Sequence, residues 1–410
     1  MDRYRLIAAM LLQVAQVSAQ DVDTPSFLKF NAYGTMGVVH SSEDRADFTS
    51  DRFDPEGVGR SKRLSTEVDS RIGLQLAADI TPKLSAVVQS VVEQRYDNSY
   101  NPSLEWANLK YQFTENFYIR AGRLVLPTLM ISDYRKVGYA IPWVRPPVEV
   151  YRFVPISNTN GVEASYRSNP GEFINTLRVI YGQKDIQLPA GGGTVLIRDG
   201  WTLSDTLERG DVTLSLSYSN GRLTLEALNP LFDAFRQFGG EGVAIAEHYN
   251  LDGKRIKIFN IGGRYDPGDW FVMGEWVRSE SRSLLGTSQG WYVSGGYRFG
   301  SLTPYITYGR TSSQSRTSIP GLDAAGLPPP LSMTAQSLNA TLNGLLASTP
   351  EQQTLTLGAR WDIVNNLAVK LQYDHMNLNE GSKGVLINEL PDFKPGARVS
   401  LFSVSLDFVY

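Results

Sequence analysis

From Phe27 to the C-terminus the chain alternates apolar with polar residues over segments of about ten, and a strand's period of two sends the two sets to opposite faces. Leu64, Val68, Ile72, Leu74 and Leu76 share one parity, against Glu67, Asp69, Arg71 and Gln75 on the other. Leu84, Ala86, Val88 and Val92 oppose Gln89, Glu93 and Arg95, and Leu109, Tyr111 and Phe113 oppose Asn108, Lys110 and Gln112. Later segments repeat the pattern: Phe259, Ile261 and Tyr265 against Asn260 and Arg264; Trp291, Val293, Tyr297 and Phe299 against Ser294 and Arg298. So do Leu355, Leu357 and Trp361 against Thr356 and Arg360, and Leu367, Val369, Leu371 and Tyr373 against Lys370, Gln372 and Asp374. One face of each segment is oily and the other wet.

Short connections rich in Pro, Gly, Asn and Asp supply the dihedrals of tight hairpins. They are Ile80 to Lys83, Thr114 to Asn116, Ser168 to Gly171, Ser219 to Gly221, Asp266 to Asp269, Gly300-Ser301 and Asp362 to Asn366. Between them lie longer segments near 39–63, 97–103, 126–160, 182–210, 229–254, 280–289, 311–351 and 378–396. Seven turns and eight loops connect sixteen strands, an even number that returns both ends of a barrel to one side. The expectation is an all-β fold: a transmembrane antiparallel β-barrel of about 16 strands, with long extracellular loops and short periplasmic turns. A soluble β-sandwich also alternates, but its strands run to five or six residues. Here the segments are longer, long and short connections alternate, and aromatics recur at strand ends, as at Phe113, Phe117, Tyr265, Trp270, Phe299 and Trp361.

Composition agrees without deciding the matter: 37 Gly and 20 Tyr with no Cys suit a barrel that crosses an oxidising compartment. Lys and Arg total 39 against 42 Asp and Glu, so the chain lacks the basic footprint of a nucleic-acid binder. Arg3 and Arg5, the apolar stretch Leu6 to Leu12 and the small residues Val17-Ser18-Ala19 read as an export signal over 1–19, with a short helix as the other reading. Residues 20–410 then form a single barrel domain. No later run reaches the roughly 18 apolar residues of a membrane-spanning helix.

The last segment runs Phe402, Val404, Leu406, Phe408, Tyr410, with Ser403, Ser405 and Asp407 between. It resembles the C-terminal signature of Gram-negative outer-membrane barrels, although Tyr410 stands where Phe is commoner. Arg123, after Ala121-Gly122 and before the long segment 126–160, matches the strand-borne arginine that precedes the third loop of the trimeric 16-stranded general porins. The resemblance implies that 126–160 folds inward as a constriction loop, that the protein is a homotrimer, and that the last strand is recognised by the barrel-assembly machinery. The segment lacks the acidic loop motif of the enteric porins.

A channel needs no reactive group, only a water-filled constriction with opposed charged walls. Candidate constriction residues are Arg123, Asp133, Arg135, Lys136, Arg145, Glu149 and Arg152, with Asp133 and Glu149 as the opposing acids. Inward parity assigns Arg71, Arg95, Lys110, Arg178, Arg264, Arg298, Arg360 and Lys370 to the lumen wall, facing Glu67, Asp69, Glu93, Glu275, Asp374 and Asp407. Any one of these charges has the simpler role of solvating the wall. Together they imply passive diffusion of small hydrophilic solutes or ions with a weak anion preference. The alternatives are a pore selective for phosphate or another small anion, and a non-transporting surface barrel, adhesin-like or enzymatic. Arg120 and Arg123 lie at an odd offset, so either a bulge at Ala121-Gly122 turns both inward or Arg120 sits at a subunit contact.

No catalytic residue, metal site or cofactor is expected. His40, His248 and His375 are isolated, and no Gly-x-Ser-x-Gly or phosphate-binding glycine loop occurs. The expected surroundings are outer-membrane lipid and lipopolysaccharide, whose phosphates suit the basic run Arg60, Lys62 and Arg63, itself equally readable as a solvated loop tip. Residues 317–350 read either as a short helix over the barrel mouth, from Leu331, Leu338, Leu342 and Leu345, or as a plain loop.

Overall fold

The computed structural model describes residues 27–188 and 193–410, so the export signal expected at 1–19 lies outside the described residues. Sixteen long strands form one antiparallel sheet: β1 (Leu28–Ser41), β2 (Arg71–Thr81), β3 (Leu84–Glu93), β4 (Ser103–Thr114), β5 (Phe117–Val125), β6 (Asn158–Ser168), β7 (Ile174–Gln187) and β8 (Thr194–Arg209). They continue as β9 (Val212–Leu225), β10 (Lys254–Tyr265), β11 (Trp270–Ser281), β12 (Thr287–Tyr297), β13 (Leu302–Ser313), β14 (Gln352–Val364), β15 (Leu367–Leu378) and β16 (Arg398–Val409). Each pairs with its neighbours in sequence. The sheet closes where β1 pairs with β2 from Leu28↔Ala78 to Thr35↔Arg71 and with β16 from Tyr33↔Val409 to Ser41↔Leu401. The Tyr410 N–H donates to the Ala32 carbonyl at 2.7 Å, and the Tyr410 carbonyl accepts from the Ala32 N–H at 3.0 Å, sealing the seam. Closure leaves no edge, as lipid requires, because each unpaired backbone group in hydrocarbon costs several kcal/mol.

The outward face is the oily one, with Leu74, Leu109, Val162, Leu214, Ile261, Val293, Ile306, Leu371 and Val404 all exposed. Aromatics mark both ends of this belt. At the short-turn end Tyr265 meets Trp270 at 5.2 Å and Tyr297 meets Phe299 at 4.6 Å. Towards the loop end Trp201 meets Tyr218 at 5.3 Å and Trp291 meets Tyr308 at 5.7 Å. Such girdles sit where one ring edge is apolar and the other wet.

Two expected boundaries move. Residues 64–70 belong to the first long loop rather than to β2, and Val68 is buried in a loop cluster with Phe48, Val58 and Val148. Ser219 to Gly221 is no turn but part of β9; the hairpin lies at Gly210-Asp211, where Gly210 has φ of +53°. The expected loop 182–210 is therefore mostly strand among its described residues, with β7 reaching Gln187 and β8 starting at Thr194. The register slips between Arg198 and Trp201, and Asp199 has φ of +49°, so the alternation that would announce a strand is broken there.

Among the described residues, helices occur only in the loops. Segment 226–253 carries α2 (Asn229–Arg236) and α3 (Gly239–Tyr249), neither expected from the sequence, and 314–351 carries α4 (Pro329–Ala347), the helical one of the two readings left open. Phe232, Phe235, Ala246, Ala335, Leu342 and Leu346 join them in one buried cluster. The remaining helix, α1 (Val148–Tyr151), belongs to the loop that enters the barrel.

Candidate functional site

Segment 126–157 connects β5 to β6, and its apolar residues have no place in water. Leu129, Ile131, Ile141, Trp143 and Val150 turn into the barrel and bury against Phe271, Met273, Val277, Tyr292 and Tyr305 on β11 to β13. Trp143 is 1 % exposed and packs edge-on against Tyr292, with ring centres 5.5 Å apart. Its indole N–H reaches Ser294 Oγ at 3.0 Å and Thr307 Oγ1 at 2.9 Å, which meets the cost of burying a polar edge.

Arg145 lies just beyond. Its Nε and Nη2 donate to the two oxygens of Asp69 at 2.9 and 2.6 Å, Nη1 to Asp374 Oδ2 at 2.8 Å, and Nη2 also to Ser403 Oγ at 2.6 Å. One guanidinium thus ties the inserted loop to the first loop and to β15 and β16. Lys370, fully buried, donates to the loop carbonyls of Gly138 and Trp143 at 2.7 and 2.8 Å while pairing with Asp407 at 3.0 Å. Arg360 donates to the carbonyls of Tyr139 and Ile141, and Arg178 holds Asp133 at 2.9 Å. Glu149 is 2 % exposed and accepts from Gln352 Nε2 at 2.7 Å and from Thr354 Oγ1. Burial pushes its carboxyl above the usual range, so the neutral acid is the form this packing favours.

On the opposite side the loop leaves space. A cavity of about 480 Å³ lies between it, the first long loop and the inner faces of β2 to β4 and β7. Lys136 enters it between Glu93 at 2.5 Å and Glu105 at 2.9 Å, and Arg71 approaches Glu93 at 3.8 Å. Among the described residues Arg95, Arg123, Arg135 and Lys184 line the same cavity with no carboxylate within 4 Å. Facing them are Asp51 and Asp54 of the first long loop, with no cation inside that distance. Enclosure raises both carboxyls, Asp54 to about 8, and the charge of Asp51 adds to the effect on Asp54.

The expected residues thus divide. Arg123, Arg135 and Lys136 border the cavity, and Arg145 reaches its edge while anchoring the loop. Glu149 is locked behind the loop, and Arg152 donates to Thr49, so the acids opposite the cations are Asp51 and Asp54 instead. Of the wall cations, Arg71, Arg178, Arg264, Arg298, Arg360 and Lys370 each pair with a carboxylate; Arg95 does not, and Lys110 stacks over Tyr118 at 4.5 Å. Arg120 donates to Glu163 at 2.7 Å inside the wall, so it is not an outward contact. The register through Gly122 is unbroken on both sides, so no bulge lies there, and Arg123 keeps the parity of the exposed Ala121, opposite to that of Arg120. Arg123 is half-buried and donates to Asn160 Oδ1 and to the Leu104 carbonyl, both at 2.9 Å. The slip occurs instead at Glu105, opposite Gln89 and Ser90, and it places that carboxylate beside Lys136.

A closed barrel of sixteen strands with a long loop after the fifth strand laid across its interior is the architecture of the outer-membrane porins. Solved structures agree on the fold. The chain is similar to the outer membrane channel DcaP of Acinetobacter baumannii (TM-score 0.57, 13 % identity, 94 % of this chain and 99 % of that one). It is also similar to an anion-selective porin from Comamonas acidovorans (TM-score 0.54, 12 % identity, 93 % and 99 %) and to Salmonella typhi OmpF in complex with daunomycin (TM-score 0.54, 13 % identity, 93 % and 97 %). No protein-family model and no curated protein sequence matches the chain.

Proposed function

We propose that this protein is a porin of a Gram-negative outer membrane that passes small hydrophilic solutes and ions down their gradients, with a weak preference for anions. The observation that carries the reading is the charge balance of the lumen cavity. Among the described residues Arg95, Arg135 and Lys184 stand there with no carboxylate within 4 Å, whereas Glu67, Glu93, Glu105 and Asp185 are each paired with a cation and the unpaired acids are Asp51 and Asp54. An enclosed space with uncompensated cations raises the local concentration of anions. In this reading the long loops face outside, the short turns face the periplasm, and residues 1–19 are the export signal. The last strand, with Phe402, Val404, Leu406, Phe408 and Tyr410 on one parity, is the segment the assembly machinery recognises, and the protein is a homotrimer.

The test is the zero-current potential across a planar bilayer under a tenfold KCl gradient. Chloride over potassium permeability above one supports the proposal. A cation preference refutes the selectivity, and a protein that inserts without conducting refutes the channel.

A further inference from the structure

Beside the charged cavity lies a second one, of about 200 Å³, whose walls are of the opposite kind. Ile180, Ile186, Val195, Leu225, Ile256 and Ile258 face it from the inner surfaces of β7 to β10. That is the face which, in a water-filled barrel, is polar. At the same height the pattern on β10 is inverted: Arg255 and Lys257 are exposed while Ile256 and Ile258 turn inward. Among the described residues the single charged one lining the space is Arg52. Among the described residues its guanidinium has no carboxylate within 4 Å and no hydrogen-bond partner.

The cavity is not a sealed packing defect. It shares Pro155, Ile156 and Ile186 with the charged cavity, and it shares Arg52, Phe153, Ile256 and Leu285 with a space of about 260 Å³ under the loop-end mouth. A solute passing from mouth to charged chamber by this side crosses an apolar station with one unpartnered cation. Simple inorganic ions gain nothing from apolar walls, because they would shed hydration there without replacement. An organic anion gains twice: its hydrocarbon body leaves water, and its acid group meets a guanidinium that is exposed and held by no protein acceptor among the described residues.

We propose that this cavity is a binding station for small organic acids with an apolar body, aromatic or short aliphatic carboxylates, held with the carboxylate on Arg52. The inference rests on the channel reading and names the solute class favoured within it. An aliphatic series discriminates well, because each methylene buried should tighten binding roughly fourfold.

The experiment measures block of the chloride current by acetate, butyrate, hexanoate and benzoate in planar bilayers. Calorimetric titration of the folded protein in detergent runs beside it. The expected result is block and binding that strengthen with chain length, weaken about tenfold or more in Arg52→Gln, and lose their chain-length dependence in Ile258→Asn. The heat-modifiable gel mobility of each variant verifies its barrel. Block independent of chain length, block unchanged in both variants, or hexanol binding as tightly as hexanoate would each overturn the proposal. A chloride current insensitive to hexanoate overturns the station and leaves the channel standing. Hexanoate binding without any chloride current overturns the channel and leaves the station.

Discussion

Replacing Arg145 by Met removes the one cation that two buried carboxylates share. Asp69 and Asp374 keep their places, since Asp374 still accepts from Thr356 Oγ1 at 2.7 Å and from Gln372 Nε2 at 2.9 Å, but their charge is left uncompensated. Breaking a buried pair from one side costs about 3–5 kcal/mol, most of it the penalty of the stranded charge. The barrel does not carry that loss, because its strands are held by backbone ladders that Arg145 does not touch. The loss falls on the seating of residues near 143–149, whose equilibrium between inserted and released shifts by roughly two to three and a half orders of magnitude. Lys136, Asp133 and the carbonyls held by Lys370 still restrain the rest of the loop, so the release is local. Single-channel recording should therefore show a larger and noisier conductance in Arg145→Met, and liposome swelling should admit larger sugars than the native protein does. If stranded charge is the cause, adding Asp69→Asn and Asp374→Asn to Arg145→Met should bring back much of the native conductance. A single variant with native conductance and noise, or a triple variant no quieter than the single, refutes the reasoning.

Three further outcomes are expected. Asp54, held up to about 8 by enclosure and by Asp51, is mostly neutral below that pH and charged above it, so anion preference should fall as pH rises through about 8 and fall less steeply in Asp54→Asn; reversal potentials from pH 6 to 9.5 decide it. Glu149 is favoured as the neutral acid by its burial, so its contribution to loop seating is fully present below the ordinary carboxyl range and is lost as pH rises through its raised value; current noise should grow with pH in the native protein and not in Glu149→Gln. Lys136→Met leaves Glu93 and Glu105 without their shared partner; one unit charge at roughly 8 Å with an effective dielectric near 40 is about 1 kcal/mol, against chloride and in favour of potassium, so the chloride to potassium permeability ratio should drop by roughly thirtyfold, and an unchanged ratio would place Lys136 off the ion path.

The fold was legible wherever lipid lies on one side of the wall and water on the other. β2, β12, β14, β15 and β16 meet that condition, and their alternation matches the observed faces, with Ile72, Val293, Leu357, Leu371 and Val404 outward. The site was less legible because a charge pattern on one strand does not name its partner. Arg360 and Lys370 are singled out by type and parity and Arg145 by its place on the long loop, yet their work is to hold that loop, and only the folded chain shows Asp69 and Asp374 meeting one guanidinium. Asp51, Asp54 and Arg52 lie in a loop with no periodicity to single them out, and Lys184 sits in a stretch read as a loop.

That last misreading has the same physical origin as the apolar cavity. Period-two alternation reports a contrast between the two sides of a wall, not strandedness itself. Where β7 and β8 carry Val179, Ile180 and Tyr181 or Val195, Leu196 and Ile197 in succession, both faces are apolar and the contrast vanishes, although the backbone pairs as elsewhere. An outward apolar residue there is explained by lipid. An inward one is not explained by a water-filled pore, and in a barrel with a single wall it needs something apolar on the inside: the inserted loop, through Phe153 and Ile156, or a guest. The loop covers part of that surface, and the cavity that remains still opens both to the mouth and to the charged chamber. The stretch where alternation fails is therefore where this lumen departs from a uniformly polar pore, and it is the place to look for solute preference.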